Sequence, residues 1–339
     1  MKSIAVFNNK GGVGKTTLLC NLSSFFQSKG KRVLVIDADP QCNASTYLLK
    51  EDDYLRILLE DKTTIYSIFQ PVKEGRGYLA KDSIPIHESS GFDVDIIVGD
   101  PKLSLLEDLL SQDWVSCKGG DSRGLRTTLI LYDLLFKVKD DYDYVFFDVG
   151  PSLGAINRVV LMACDFFIMP MSTDIFSIQA ISNIAESVRN WKSDFERGLS
   201  DYSAKEKCDF LIDGNRVAPK LSFLGYVLQQ YVAKTVSGEV RPVKAYERII
   251  EQVPEKIKAE LADLYDDSLS EQSLLLGSIP NFNSLIPLSQ MANKPIFKLA
   301  GNDGVVGAHF TKVKEFGEVI EQIANNVTRN IDCYDQMAR

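Results

Sequence analysis

Histidine is almost absent from this chain: His87 and His309 are the only two in 339 residues. Neither lies in a motif, and two are too few for a histidine-built metal centre. The six cysteines, Cys20, Cys42, Cys117, Cys164, Cys208 and Cys333, are scattered without a CxxC or any other metal-ligand spacing. Reduced thiols in a cytoplasmic protein are therefore expected. No run of about 18 apolar residues occurs, which excludes a membrane-spanning helix. The sequence enters an apolar strand at once, so no leader peptide is expected before it. Positive charge is also in deficit, with 38 Lys and Arg against 46 Asp and Glu and a net charge of −8. That balance argues against a large permanent nucleic-acid footprint, while leaving room for a local basic patch that forms only on dimerisation. The remaining composition, 45% hydrophobic and 25% charged, permits an ordinary soluble core.

Against this background one segment stands out. Residues 8–17 read Asn-Asn-Lys-Gly-Gly-Val-Gly-Lys-Thr-Thr, preceded by the apolar run Ile4-Ala5-Val6-Phe7 and followed by an apolar-periodic stretch from Thr16 to Lys29. Strand, glycine loop and helix in this order form a phosphate cradle. The glycines let the backbone pass close to a triphosphate with its N–H groups turned inward, and the helix that follows adds its positive dipole end. Lys10, Gly11, Gly12, Val13, Gly14, Lys15, Thr16 and Thr17 are the nucleotide-binding candidates. Lys15 is expected on the β- and γ-phosphates and the Thr16 hydroxyl on Mg²⁺. The plain P-loop pattern has glycine six positions before this lysine, where the chain has Asn9, so the loop is a variant with a second lysine, Lys10.

Short apolar runs alternate with helical stretches, which predicts right-handed βαβ units and a mostly parallel twisted α/β sheet flanked by helices. Core strands are expected at 3–7, 33–37, 94–98, 144–148, 166–170, 222–228 and 274–278. The loops at 8–17, 37–43 and 148–154 all leave carboxyl ends of strands, where open α/β sheets bind ligands. Asp148 ends its strand and is placed to hold Mg²⁺ through water, the alternative being a helix cap. Asp37 and Asp39 lie in an extended segment at the end of a strand, and Asp37 is expected near the metal. The chain reads as a single domain, 1–339, with insertions near 52–92 and 191–220, and with a mobile surface loop at Gly119–Gly124.

The variant loop Lys-Gly-Gly-Val-Gly-Lys-Thr-Thr resembles the deviant Walker A motif of the ParA/MinD family of P-loop ATPases, and the preceding Asn-x-Lys is closer to the ParA/Soj branch. The run from Val33 through Asp37-Ala38-Asp39-Pro40-Gln41-Cys42-Asn43 is similar to that family's second nucleotide motif. Tyr144 to Gly154 looks like its Walker B strand and switch, with Gly150 in place of a frequent proline. The likeness is clear over about 1–50 and 140–185 and weaker over about 275–325. It implies an ATPase that hydrolyses ATP to ADP and phosphate, dimerises on ATP, and acts as a switch in plasmid, chromosome or other cargo partitioning. The implied setting is cytoplasmic or nucleoid-associated, with nonspecific DNA and a ParB-like activator as partners. By this resemblance Lys10 crosses a dimer interface to the other subunit's nucleotide, and Asp39 orients the attacking water. A salt bridge between Asp39 and Lys10 is the rival role. Pro280, in Ile279-Pro280-Asn281-Phe282, resembles the family's base-binding loop, against an ordinary turn proline. Gln229 and Gln230 are a second candidate for base contact.

Arg241, Lys244 and Arg248 fall three and four apart at what reads as the start of a helix with Pro242 in its first turn, hence on one face. A solvated helix face is the plain expectation. The resemblance raises a DNA-phosphate patch as the alternative. Phe316, Val319, Ile320, Ile323, Ala324 and Val327 describe an amphipathic helix with few basic residues, which suits core packing better than the membrane-surface helix of MinD-like relatives. A membrane-surface positioning ATPase of the MinD kind is the second reading, and a metabolic enzyme on the same scaffold is the third, either an ATP-dependent synthetase or an iron–sulfur reductase using Cys117 and Cys164.

Overall fold

Strands buried on both faces read as continuous apolar runs, and the two strands beside the phosphate loop illustrate this: Val33–Asp37 and Tyr144–Asp148 are buried at every position. The computed structural model describes residues 1–337 apart from 218, 219, 232, 237, 238, 243 and 283; over 230–248 and at 337 it describes the backbone alone. The strands are β1 (Lys2–Val6), β2 (Val33–Asp37), β3 (His87–Ser89), β4 (Val94–Ile97), β5 (Tyr144–Asp148), β6 (Phe166–Ser172), β7 (Leu211–Ile212), β8 (Asn215–Arg216), β9 (Ser222–Tyr231), β10 (Ala233–Val236), β11 (Glu239–Pro242) and β12 (Leu275–Pro280). Among the described residues, eight of them form one sheet in the order β12-β9-β6-β1-β5-β2-β4-β3. Its pairings are parallel except for β3 on β4. Each expected core strand is present. The edge strand β3 and the two small ribbons β7–β8 and β10–β11 are additions.

The helices are α1 (Lys15–Ser28), α2 (Asn43–Leu48), α3 (Glu51–Arg56), α4 (Ile65–Lys73), α5 (Glu107–Lys118), α6 (Ser122–Thr128), α7 (Ile130–Val138), α8 (Ala155–Ala163), α9 (Ile175–Glu206), α10 (Lys244–Leu261), α11 (Glu271–Leu274), α12 (Ile286–Ala292) and α13 (His309–Met337). They cover the sheet on both sides. One core joins Phe7, Ile36 and Phe147 to Ile68 of α4, Trp114 of α5, Val160 of α8 and Ile184 of α9. The other joins Val6, Val35 and Phe146 to Leu22 of α1, Tyr47 of α2 and Phe316, Ile320 and Ile323 of α13. The C-terminal amphipathic stretch thus spends its apolar face on the sheet.

One local expectation changes. The glycine-rich run at 119–124, expected as a mobile loop, leads directly into α6. The Asp121 side chain caps that helix, accepting from the N–H groups of Arg123 and Gly124 at 3.0 Å each. A Cβ on Gly124 would overlap the α5 backbone at Asp113 and Cys117, so glycine here serves close helix packing. The polar stretch from 191 is the second half of the 32-residue α9, which buries Trp191, Phe195 and Gly198.

Candidate functional site

The phosphate loop takes its shape from a buried asparagine and two glycines. Asn8, fully buried after β1, donates from Nδ2 to the Pro170 carbonyl of β6 at 2.8 Å. Its Oδ1 accepts the Lys10 N–H at 3.0 Å, which starts the turn. Gly12 and Gly14 sit at φ 72° and 73°, the left-handed region that side chains disfavour. Lys15 opens α1 and folds back into the loop, donating to the carbonyls of Asn8 (3.2 Å) and Lys10 (3.1 Å). Burial lowers its pKa, and the nearby carboxylates Asp148 and Asp39 oppose that shift. The loop from Gly11 to Thr17, with Asp39, Asn43, Thr46, Pro151 and Gln290, encloses a cavity of about 330 Å³.

Sheet order brings the carboxylates to this cavity. β5 lies between β1 and β2, and Asp148 is in register with both Val6 and Asp37. Thr16 Oγ1 donates to Asp148 Oδ2 at 2.8 Å. The other oxygen, Oδ1, is buried without a hydrogen-bond partner. Burial raises the Asp148 pKa strongly, and Asp37 adds to the rise. An unpartnered carboxylate oxygen beside a threonine hydroxyl at a phosphate cradle fits Mg²⁺, which keeps much of its shell as water and phosphate oxygen. Among the described residues no cluster of three or more His, Cys, Asp or Glu could hold a metal, consistent with so sparse a donor set.

Asp37 Oδ2 accepts the Ser45 N–H (2.8 Å) and hydroxyl (2.7 Å), and its Oδ1 accepts the Asp39 N–H (3.2 Å). Burial raises its pKa to about 6. Three accepted hydrogen bonds tie it into the 37–45 turn, so it shapes the loop that carries Asp39. Asp39 lines the cavity, and its Oδ1 accepts the Gln41 N–H at 3.0 Å. A Cβ on Gly150 would lie 3.1 Å from that oxygen, so glycine leaves room for Asp39 there.

Lys10 does not pair with Asp39. Its ammonium forms an ion pair with Asp174 and donates to Ser172 Oγ at 2.9 Å. Asp174 also caps α9, accepting the Ser177 N–H at 3.1 Å. Sequence reasoning missed this partner, although an aspartate just before a helical stretch is a recognisable N-cap. Pro280 and Gln229 do converge on the loop. With Gly14, Thr17, Phe282 and Phe316 they line a slot beside the phosphate cavity, and Gln229 Nε2 donates to the Gly14 carbonyl at 3.2 Å. The side chain of Gln230 lies outside the described residues.

The proposed basic face does not form as read. Arg241 belongs to β11, opposite Lys234, while α10 begins only at Lys244. Pro242 closes the ribbon strand and is not in the first helical turn. The side chains of Arg241, Lys244 and Arg248 lie outside the described residues. Cys117 and Cys164 are both buried, which does not suit a cluster shared between subunits.

The family model described as an AAA domain matches residues 1–200. The chromosome partitioning protein ParA of Caulobacter vibrioides is 24% identical over 290 residues, 85% of this chain and 87% of that one. The chain is a ParA-like P-loop ATPase of the AAA-domain family. An uncharacterized protein of Methanocaldococcus jannaschii is 25% identical over 327 residues, 96% of this ParA-like chain and 100% of its own. The crystal structure of protein DIP2308 from Corynebacterium diphtheriae is similar throughout, with a TM-score of 0.72, 32% identity and coverage of 98% and 99%. The later half of this ParA-like ATPase, beyond the matched domain, is therefore shared with whole relatives. Among its described residues no helix is long and apolar enough to cross a membrane.

Proposed function

We propose that this chain is a nucleotide switch that binds MgATP, forms a homodimer around it, hydrolyses it to ADP and phosphate, and so drives the partitioning of DNA or another cargo. The observation that carries the reading is the Thr16–Asp148 pair with its unpartnered Oδ1 beside an open phosphate cradle. Bound Mg²⁺ would neutralise charge on the β- and γ-phosphates, held by Thr16 and, through water, by Asp148. Lys15 exchanges its two loop carbonyls for phosphate oxygens, and the loop amides bind the remainder. Asp39, buried at the cavity wall, accepts a proton from, and orients, the attacking water. Lys10 is held in reserve on Asp174 and turns to the other subunit's nucleotide when two chains meet. Pro280 packs on the base and Gln229 meets its polar edge.

Nonspecific DNA and a ParB-like activator are the partners this reading implies. The conditional basic patch would combine Arg241 of the ribbon with Lys244 and Arg248 of α10, doubled by the dimer two-fold. A membrane platform is disfavoured because α13 buries Phe316, Ile320 and Ile323 in the core. ATP turnover measured with and without nonspecific duplex DNA tests the proposal. Slow basal hydrolysis stimulated by DNA or a partner supports the switch, whereas fast turnover coupled to a small acceptor would identify a synthetase.

A further inference from the structure

The segment that follows Asp148 walls the phosphate cavity, yet the helix anchoring it has no cap of its own. α8 begins at Ala155, and its N-cap residue Gly154 has no side chain to offer. The missing acceptor comes from α5, 48 residues earlier. One Glu107 oxygen accepts the Ala155 N–H, and the other accepts the Ile156 N–H at 3.2 Å. A Cβ on Gly154 would overlap Glu107 Oε1, so the glycine leaves the carboxylate its place. Within the first turn of α8, Asn157 Nδ2 donates to the carbonyls of Gly150 and Ser152 at 2.7 Å each. The loop so held sets Gly150 beside Asp39, close enough that a Cβ added there would lie 3.1 Å from Oδ1. It also brings Pro151 over Gly11, with a notional Gly11 Cβ 3.9 Å from Pro151 Cγ.

We propose that Glu107 is a positioning residue of the nucleotide switch. By capping α8 from a neighbouring helix, its carboxylate fixes the Gly150–Gly154 loop, and through that loop the place of Asp39. The inference rests on the hydrolytic reading of the site given above. Electrostatics add to the cap. Arg158, one turn further along α8, is a buried guanidinium stacked on Trp114 at 4.5 Å from the ring centroid. Burial lowers its pKa to about 10, and Glu107 is the foremost of the anions opposing that shift. Glu107 therefore caps the backbone N–H groups and lends negative charge to the surroundings of Arg158.

Gly154 makes a compensating experiment possible. Its backbone, at φ −81° and ψ −177°, is the extended conformation of an ordinary N-cap, so aspartate there could cap α8 locally. Three full-length variants are compared with wild type: Glu107→Ala, Gly154→Asp, and both together. Loss of charge-assisted hydrogen bonds predicts that Glu107→Ala lowers turnover at saturating ATP about ten- to a hundredfold and speeds amide exchange at 150–156 similarly. Affinity for MgADP, measured by calorimetry, should stay within about threefold, because the P-loop contacts are untouched; that split separates positioning from binding. Gly154→Asp alone should also be impaired, since the new side chain meets the Glu107 carboxylate. The double variant, in which the added cap fills the vacated space, should recover turnover and protection.

Wild-type turnover in Glu107→Ala, despite faster exchange at Ala155 and Ile156, would overturn the proposal, because the cap would then position nothing. Parallel loss of MgADP affinity and turnover without recovery in the double variant would also overturn it, reducing Glu107 to a general structural residue. Should wild type itself hydrolyse no ATP, the hydrolytic reading fails separately, and exchange alone decides on the loop. Protection of 150–154 by MgADP that is lost in Glu107→Ala and regained in the double variant then supports the positioning role, and loss without recovery refutes it.

Discussion

Asp174→Asn should strengthen ATP-dependent dimerisation, because it releases Lys10 from its own subunit while leaving α9 capped. Asparagine is as good an N-cap as aspartate, so the bond from the Ser177 N–H survives. What is lost is the ion pair, whose side chains are 27% and 36% exposed. Solvent screening at that exposure limits such a pair to about 1 kcal/mol at most. The hydrogen bond from Lys10 to Ser172 Oγ remains in both proteins and cancels from the comparison. A symmetric dimer must free two lysines, so the gain is about 2 kcal/mol, or roughly a thirtyfold lower dimer dissociation constant. The assay is sedimentation velocity with MgATP in an Asp39→Ala background, where nucleotide is consumed slowly. The gain should shrink as salt is raised, since a partly exposed ion pair is screened. An unchanged or weaker dimer in Asp174→Asn would refute the view that Asp174 holds Lys10 back.

Lys15→Ala should abolish nucleotide binding by calorimetry, since the carbonyls of Asn8 and Lys10 then keep no ammonium to yield to phosphate; an unchanged affinity would contradict its role. Asp39→Ala should retain ATP and accumulate dimer while turnover falls by about two orders of magnitude, the scale of a lost positioned base. Asp148→Ala should instead weaken the Mg²⁺ dependence of ADP binding, read from titrations with and without the metal. Replacing Arg241, Lys244 and Arg248 with Glu should abolish duplex binding by the ATP-bound protein without impairing dimerisation. Single replacements should each flatten the salt dependence of duplex affinity by close to one unit of log–log slope, as expected when one fewer phosphate is neutralised. An ATP-bound wild-type protein that ignores duplex DNA at about 50 mM salt would remove the DNA platform from the account.

The parts of the site that were legible in the sequence are those whose chemistry is local in the chain. Gly12, Gly14, Lys15 and Thr16 follow one strand within a few residues, and Asp37 and Asp148 end apolar runs that declare themselves as strands. The partners of these residues were not legible, because sheet order decides them. β6 pairs beside β1, and only that pairing brings Asp174 to Lys10 across 164 positions of sequence. The same holds for Glu107 on α8, where nothing in the run after Asp148 announces a cap donated from another helix. The bonds of Asp37 were not legible either, because its place at a strand end does not tell what competes for its oxygens; Ser45 and the Asp39 N–H do so here. Gly119 and Gly120 outweighed Asp121 in the reading of 119–124, although the aspartate's cap starts a helix there. At Pro242 the same residue type that opens helices closes a ribbon strand, and local spacing alone does not separate the two.

The central claim is that ATP, and not merely a bound nucleotide, assembles the switch. Sedimentation velocity of the wild-type chain without nucleotide, with MgADP, and with a non-hydrolysable ATP analogue and Mg²⁺ tests it most directly. The account predicts a monomer in the first two conditions and a dimer in the third, abolished again in Lys10→Ala. One mass in all three conditions, or an analogue-induced dimer that persists in Lys10→Ala, would contradict it.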